Sequence, residues 1–310
     1  MRPIVYALNV GRGDAFFLEI PTESGVFVVL IDGGDQFFQE SVIPFRFIQE
    51  RGWKQIDLMI LTHLHPDHLT GLLEVAEHIP VIEAVLPYPR FSLALSDIRH
   101  PKALQTARMF HAYNQLRELL LQQNTIISLR PPFSEDAASA SWSFGPFVLR
   151  HLDPLNVNDL PAYENIVQLC SSPLEPVIQE KLLINFDSLS NQDSSVWLFE
   201  QADGLQLLLF GGDALLSNWD RIMQHEKLQP CGFKVGHHGM ADGWNEQLLR
   251  KLSPDWILIT NNDTEYEQFQ DEWERLAQTS GAELYVTGSQ SGTLYLSSML
   301  PLAPERIVNK

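Results

Sequence analysis

Thr62-His63-Leu64-His65-Pro66-Asp67-His68 follows the apolar run 58–61 and precedes Leu69-Thr70-Gly71-Leu72-Leu73-Glu74-Val75-Ala76. The order reads as a strand, a loop dense in donor atoms, then a helix. In an extended loop residues two apart share a face, so His63, His65 and Asp67 point one way while His68 swings round as the helix starts. Three imidazoles and a carboxylate then converge on one small volume. That set suits zinc or a similar divalent ion, and the helix N-terminus beside His68 disfavours imidazolium, keeping the ring neutral and able to ligate. A loop that is rich in histidine by chance accounts poorly for this placement.

Three other stretches pair an apolar run with donors at its end. Asp213 falls just past Leu207-Leu208-Leu209-Phe210-Gly211-Gly212, where a carboxylate can reach over a sheet edge and bridge two ions as readily as it can cap a helix. Lys234-Val235-Gly236-His237-His238-Gly239 offers one more imidazole. Spacing does not choose between His237 and His238, and the one that does not ligate is placed to hydrogen-bond a substrate or protonate a leaving group. Asp32, in Leu30-Ile31-Asp32-Gly33-Gly34, ends an apolar strand before two glycines that permit a tight turn. It reads as a turn aspartate or as an acceptor that holds the histidine loop in place.

The motif Thr-His-x-His-x-Asp-His after a hydrophobic strand resembles the metal-binding motif of the metallo-β-lactamase superfamily. Together with Val10-Gly11-Arg12-Gly13-Asp14-Ala15 and the stretches around Asp32, Asp213 and His237, it is similar to the hydrolase domain of the competence protein ComEC and its free-standing relatives, over nearly the whole chain. The resemblance implies an α/β fold, a four-layer αβ/βα sandwich of two mixed β-sheets flanked by helices. It implies one domain over residues 1–310 with a helical and loop insertion around 99–185. It further implies two divalent ions, zinc or else manganese, held by His63, His65, Asp67, His68, Asp213 and one of His237 and His238. Asp67, His237 and His238 would take part in catalysis, with Asp32 and Asp14 buried beneath the metal loop. The sequence departs from the family at one point, since no third histidine for the first ion stands between the two main motifs. Asn191-Gln192-Asp193-Ser194-Ser195-Val196 occupies that place and looks like the Asn-rich segment of ComEC-type domains, with His151 as the nearest other imidazole. The first ion is then left with His63, His65, a shared Asp213 and Asn191, Asp193 or water. An amide or carboxylate oxygen is harder than imidazole, so this position should hold zinc more weakly or favour manganese.

The 310 residues, 45% hydrophobic, are ample for a buried core. No run of about twenty apolar residues suggests a membrane span, and the first residues lack a signal-peptide core, so a cytoplasmic protein is expected. Cys170 and Cys231, far apart, provide neither a disulfide framework nor a CxxC knot. With 21 Lys and Arg against 39 Asp and Glu, the net charge of −18 repels polyanions at long range and argues against strong, sequence-blind binding of duplex DNA. A local basic patch is compatible with that balance.

Taken in order, the first fifty residues read as three strands at the edge of a first sheet, then a helix over 37–52 through Phe37, Phe38, Val42, Phe45 and Ile48, with Pro44 as a kink or boundary. Residues 99–123 predict the longest helix, and His111 within it reads as a packed or surface residue. Residues 131–141 read as a mobile loop. Pro154, Pro161, Pro173 and Pro176 with Asp153, Asp159, Glu164 and Glu175 suggest an irregular, acidic insertion over 153–185, a lid or a protein-partner surface. The last strands are expected to complete a second sheet, and Trp244 and Trp256 read as core residues.

Three functions fit this pattern. The first is a metal-dependent phosphodiesterase or nuclease acting on a small or single-stranded substrate, because a metal pair can activate water and offset phosphoryl charge. The second is hydrolysis of another ester, such as a lactone, thioester or phosphorylcholine ester, which fold alone does not separate from the first. The third is a metal-stabilised, non-catalytic partner subunit.

Overall fold

Strands that are buried on both faces read as unbroken apolar runs, and the runs ending at Ile31, Leu61, Phe210 and Ile259 are of this kind. The computed structural model describes residues 3–23, 25–35, 43–95, 97–134, 140–171 and 174–288, with the backbone of 294–297 and 303–306. The first half runs β1 (Ile4–Ala7), β2 (Phe16–Thr22), β3 (Gly25–Ile31), α1 (Pro44–Arg51), β4 (Ile56–Ile60), α2 (Pro66–His78), β5 (Val81–Leu86), α3 (Pro101–Gln122) and β6 (Ile126–Leu129). The second runs β7 (Ser141–Phe144), β8 (Phe147–Asp153), α4 (Pro161–Ser171), α5 (Pro176–Leu189), β9 (Val196–Gln201), β10 (Gln206–Phe210), α6 (Leu216–His225), β11 (Gly232–Lys234), α7 (Glu246–Leu252), β12 (Trp256–Ile259), α8 (Asp263–Ser280) and β13 (Glu283–Val286), followed by β14 (Leu294–Ser297) and β15 (Ala303–Arg306).

An eight-stranded sheet in the order β15-β14-β1-β2-β3-β4-β5-β6 faces a seven-stranded one in the order β13-β12-β11-β10-β9-β8-β7. Alternation along each strand sorts the side chains. In β2, Phe16, Leu18 and Ile20 join Trp197, Phe199 and Leu208 in the layer between the sheets. Phe17, between them in sequence, faces the helices on the outer side of the first sheet with Phe47 and Leu72. Trp219, Trp244 and Trp273 fill the equivalent layer outside the second sheet. This is the α/β four-layer sandwich of two mixed sheets, as the metallo-β-lactamase resemblance implies.

Two expectations change. β14 and β15 do not extend the second sheet: β14 pairs antiparallel with β1, so the chain end returns to the first sheet and β1 becomes an interior strand. Two of the four prolines of 153–185, Pro161 and Pro176, begin helices instead of breaking them, because they occupy first-turn positions where the missing N–H costs nothing and φ is already helical, while Pro154 follows β8 and Pro173 lies outside the described residues. Those helices pack in the outer layer of the first sheet, with Ile166 and Phe186 fully buried. Pro44 opens α1 and is thus the boundary, one of its two expected readings. Phe37, Phe38 and Val42 lie outside the described residues, as do residues 135–139 of the expected mobile loop. The helix predicted over 99–123 is α3, on which His111 is exposed. Among the described residues no helix is long and apolar enough to cross a membrane.

Candidate metal centre

β3 runs parallel to β4, and β10, β11 and β12 run parallel to one another. Every donor motif follows the C-terminal end of one of these strands, the place where open α/β sheets put their ligands. Close backbone packing locks the loops together. A Cβ on Gly71 of α2 would collide with the backbone oxygen of Gly33, and one on Gly13 would stand 2.5 Å from the backbone oxygen of Asp67. The N–H of Asp14 donates to that same Asp67 oxygen at 3.2 Å.

Asp32, fully buried at φ 59°, organises the histidine loop. Its Oδ1 accepts from the Thr62 N–H at 2.8 Å, and its Oδ2 accepts from the Thr62 hydroxyl at 2.7 Å and from His68 Nδ1 at 2.8 Å. Burial raises its carboxyl pKa against the opposing pull of His68. Because the Thr62 hydroxyl gives its hydrogen to Asp32, it can only accept from His63 Nδ1, 3.1 Å away. The His65 Nε2–H donates to the backbone oxygen of Asp187 at 3.3 Å. His238 Nδ1 lies 3.1 Å from the hydroxyl of Thr260, which in turn donates to Asp14 Oδ1 at 2.6 Å.

These partners fix four tautomers, and each leaves one ring nitrogen with a lone pair turned inward. His63 Nε2 faces His65 Nδ1 at 3.2 Å, and His68 Nε2 faces His238 Nε2 at 3.3 Å. Asp213 Oδ1 stands 3.2 Å from His68 Nε2 and 3.1 Å from His238 Nε2, yet it has no hydrogen-bond partner. Asp213 Oδ2 is 3.7 Å from His63 Nε2, and Asp67 Oδ2 is 3.3 Å from His238 Nε2. Donors bound at about 2.0–2.2 Å to a tetrahedral ion lie about 3.3–3.5 Å apart, so these edges fit shared cations. Among the described residues three compact donor groups, His63 with His68 and Asp213, Asp67 with His68 and His238, and Asp14 with Asp32 and His68, all share His68, whose one free nitrogen can serve a single ion.

The electrostatics divide the cluster. Burial, reinforced by His68, holds His63 well below its ordinary pKa, and burial also lowers His65 against the pull of Asp67 and Asp213. Burial works the same way on His68 and His238, but there the carboxylates win. Asp213 and Asp32 bring His68 well above its usual range, and Asp213, Asp14 and Asp67 push His238 up to about 10. Asp67 and Asp213 are held far down, since the neighbouring imidazoles outweigh burial. The inner half of the cluster therefore favours a positive charge, which a proton or a metal ion can supply.

His237 and His238 separate cleanly, both at positive φ, 46° and 51°. His238 is buried among the donors, while His237 lines the open cleft with Nδ1 2.7 Å from Asp242 Oδ1. Asp14 sits behind His238 and accepts from the fully buried Lys234 ammonium at 2.5 Å, which also donates to the Gly212 oxygen at 2.7 Å. Burial pushes the Asp14 carboxyl up, but Lys234 and His238 outweigh it and hold it low.

The Asn191 segment forms a short turn beside the metal loop, tied to it by the Ser190 hydroxyl donating to the Leu64 oxygen at 3.1 Å. Asn191 Oδ1 is buried without a hydrogen-bond partner. Asp193 is spent elsewhere: it accepts from the Tyr88 hydroxyl at 2.6 Å and from the N–H groups of Ala162 and Tyr163 at the start of α4. Burial leads the effects that bring it to about 6. His151 stands against Trp197 between the sheets, outside the donor cluster, with neither ring nitrogen partnered.

Sequence reading passed over Lys234, Thr62, Thr260 and Arg130. Arg130, buried, donates to the Thr62 oxygen at 3.1 Å and to the Ser195 hydroxyl at 2.9 Å and also reaches the Asp193 oxygen, joining the two motifs. The one available signal was a lysine inside the buried run Phe233-Lys234-Val235. The cleft above the donors, about 480 Å³, is lined by Arg12, His65, Asp67, Lys102, Asp187, Asp213 and His237 among others.

The model of the metallo-beta-lactamase superfamily matches residues 8–97. ComE operon protein 3 of Bacillus subtilis (strain 168) is 24% identical over 267 residues, 82% of this chain and 27% of that protein. The chain thus spans about a quarter of that curated relative's length. Among solved structures, Igni18, a novel metallo hydrolase from Ignicoccus hospitalis, superposes with a TM-score of 0.47 at 12% identity, covering 94% of this chain and 98% of that one. A diphosphatase from the PhnP family superposes with a TM-score of 0.42 at 11% identity, covering 97% and 99%.

Proposed function

We propose that this chain, a metallo-hydrolase of the metallo-beta-lactamase superfamily by motif and fold, cleaves phosphodiester bonds with a pair of divalent ions. The observation that carries the reading is the set of four imidazole lone pairs and two carboxylates turned inward at the floor of a cleft that also carries Arg12, Lys102 and His237. Imidazoles and carboxylates converging on one buried volume ask for positive charge, which cations can supply, and the basic side chains above them ask for an anionic substrate.

His63, His65 and Asp213, with Asn191 Oδ1 directly or through water, would hold one ion; Asp67, His68, His238 and Asp213 would hold the other. Zinc suits the second set, and the harder oxygen at the first makes manganese a competitor there. When bound, such ions activate a water molecule and offset charge on the phosphoryl oxygens. The chain's own groups supply the rest. Asp32, Thr62, Asp14 and Thr260 fix ring tautomers, and Lys234 neutralises Asp14. His237, oriented by Asp242, faces the substrate to hydrogen-bond a phosphoryl oxygen or protonate the departing oxygen.

The test is a panel of bis-p-nitrophenyl phosphate, a single-stranded oligonucleotide, a lactone, a thioester and a phosphorylcholine ester, offered to protein loaded with zinc or manganese. Turnover of the diesters that disappears in Asp67→Ala supports the proposal. Turnover confined to the lactone or thioester overturns it. A second reading, a partner-binding subunit, draws on the exposed Val167, Val177 and Ile178 of α4 and α5. Co-purification of one partner, lost on Val177→Glu, with no ester turned over under any metal, would favour it.

A further inference from the structure

Two cations at the cleft are each built one step away from a donor of the candidate centre. Arg12 lies in the turn between β1 and β2, flanked by Gly11 at φ 78° and Gly13 at φ 154°. Gly13 packs on the Asp67 backbone, and Asp14 bonds to it, so the turn is registered against Asp67 itself. The Arg12 head reaches Glu265 of α8 at 3.5 Å. Lys102, in the first turn of α3, is held by the Asp187 carboxylate at 2.7 Å, and the backbone oxygen of that same Asp187 accepts from His65. One cation is thus anchored to a helix of the second sheet and the other to one of the first, and both line the cleft together with Asp67 and Asp213.

Both heads remain accessible, with side chains 41% and 45% exposed. Exposed ion pairs of this kind are worth about 0–1 kcal/mol, so a phosphate can replace the carboxylate at little cost. The rest of the surface is acidic, at a net charge of −18. A duplex would bring a second strand of phosphates against that surface, whereas one strand threaded through the cleft would meet Arg12 and Lys102 in its lining, where Asp67 and Asp213 are turned toward the candidate metal donors.

Building on the phosphodiesterase reading, we propose that Arg12 and Lys102 are specificity determinants that grip the phosphates on either side of the scissile one. The substrate class is then a linear, single-stranded polynucleotide. A small diester, having no neighbouring phosphates, uses only the floor of the cleft.

The probe is a fluorescein-labelled phosphorothioate octathymidylate, read by anisotropy against metal-loaded protein over a range of salt. Arg12→Ala and Lys102→Ala should each weaken binding about tenfold and reduce the slope of log K against log salt by about 0.7, the value expected for one phosphate contact on a single strand. Lys54→Ala, an exposed lysine before the N-terminal end of β4, should leave binding unchanged. In kinetics the two cleft variants should lose at least tenfold more kcat/KM on an octanucleotide than on bis-p-nitrophenyl phosphate. Equal losses on the two substrates, an unaltered salt slope, or an octanucleotide that does not bind the wild-type protein overturns the inference. If no diester is turned over at all, the phosphodiesterase reading falls, while affinity and salt slope still decide whether these residues grip a strand.

Discussion

His68 and His238 meet the cleft from fully buried positions, each with Nδ1 committed to Asp32 or to the Thr260–Asp14 pair. His63 and His65 lean on weaker supports, a threonine hydroxyl and a backbone carbonyl, and His65 is half-buried. The inner pair is drawn toward positive charge by several acids, while burial keeps the outer pair neutral. Only the inner half has its full complement of imidazole and carboxylate donors. Where the outer half lacks a third imidazole, the chain offers Asn191 Oδ1, buried and without a partner. Two ions bound here should therefore differ in affinity, with Asp213 linking them.

The largest expected effect belongs to that link. Asp213→Ala should lose both ions and fall to the metal-free rate, because its two oxygens face opposite halves. His238→Ala should lose the inner ion alone, and His237→Ala should keep both. Metal analysis after gel filtration reads the difference, and equal losses of one ion in Asp213→Ala and His238→Ala would make Asp213 a terminal donor.

Next comes the support of the inner half. Asp32→Asn leaves an amide where three donors need an acceptor, and should lower the affinity for the inner ion by about 10–100-fold, the usual cost of losing such a partner. Chelator competition measures it. An unchanged affinity would mean that Asp32 serves the turn and not the metal loop.

A smaller effect sharpens the outer half. Asn191→His should tighten the weaker ion several-fold while the stronger one keeps its affinity. If neither moves, Asn191 does not look into the site.

The smallest concerns His151, a buried imidazole that takes no part in either half. Burial, then the Arg130 charge, hold it well below its ordinary pKa, so the unfolded chain binds this proton more readily than the folded one. Its share of stability is present above the unfolded value of 6.5 and is lost as pH falls from there toward the folded pKa. His151→Phe should accordingly narrow the drop in Tm between pH 7.5 and pH 5. A drop as large as in the wild type would mean that His151 titrates normally in the folded protein.

The histidine loop was more legible in the sequence than its surroundings, for a physical reason. His63, His65, Asp67 and His68 are local in sequence, and an apolar run followed by donors announces a buried strand that ends at a site. Lys234 is fully buried, but its partner Asp14 lies 220 residues away, so nothing local marks the pair. The choice between His237 and His238 depends on two successive residues at positive φ, which spacing does not encode. The return of β14 to β1 is a long-range pairing of the same kind. In 153–185 the prolines pointed to irregular chain because each was weighed as a helix breaker and not as a first-turn residue.

The inequality of the two halves is tested most directly by titrating metal-free protein with zinc against a chromophoric chelator, in the wild type and in His65→Ala. The expected wild-type curve has two resolved steps, and His65→Ala should lose the weaker and keep the stronger. Two ions of equal affinity, or loss of the stronger step in His65→Ala, would contradict the account.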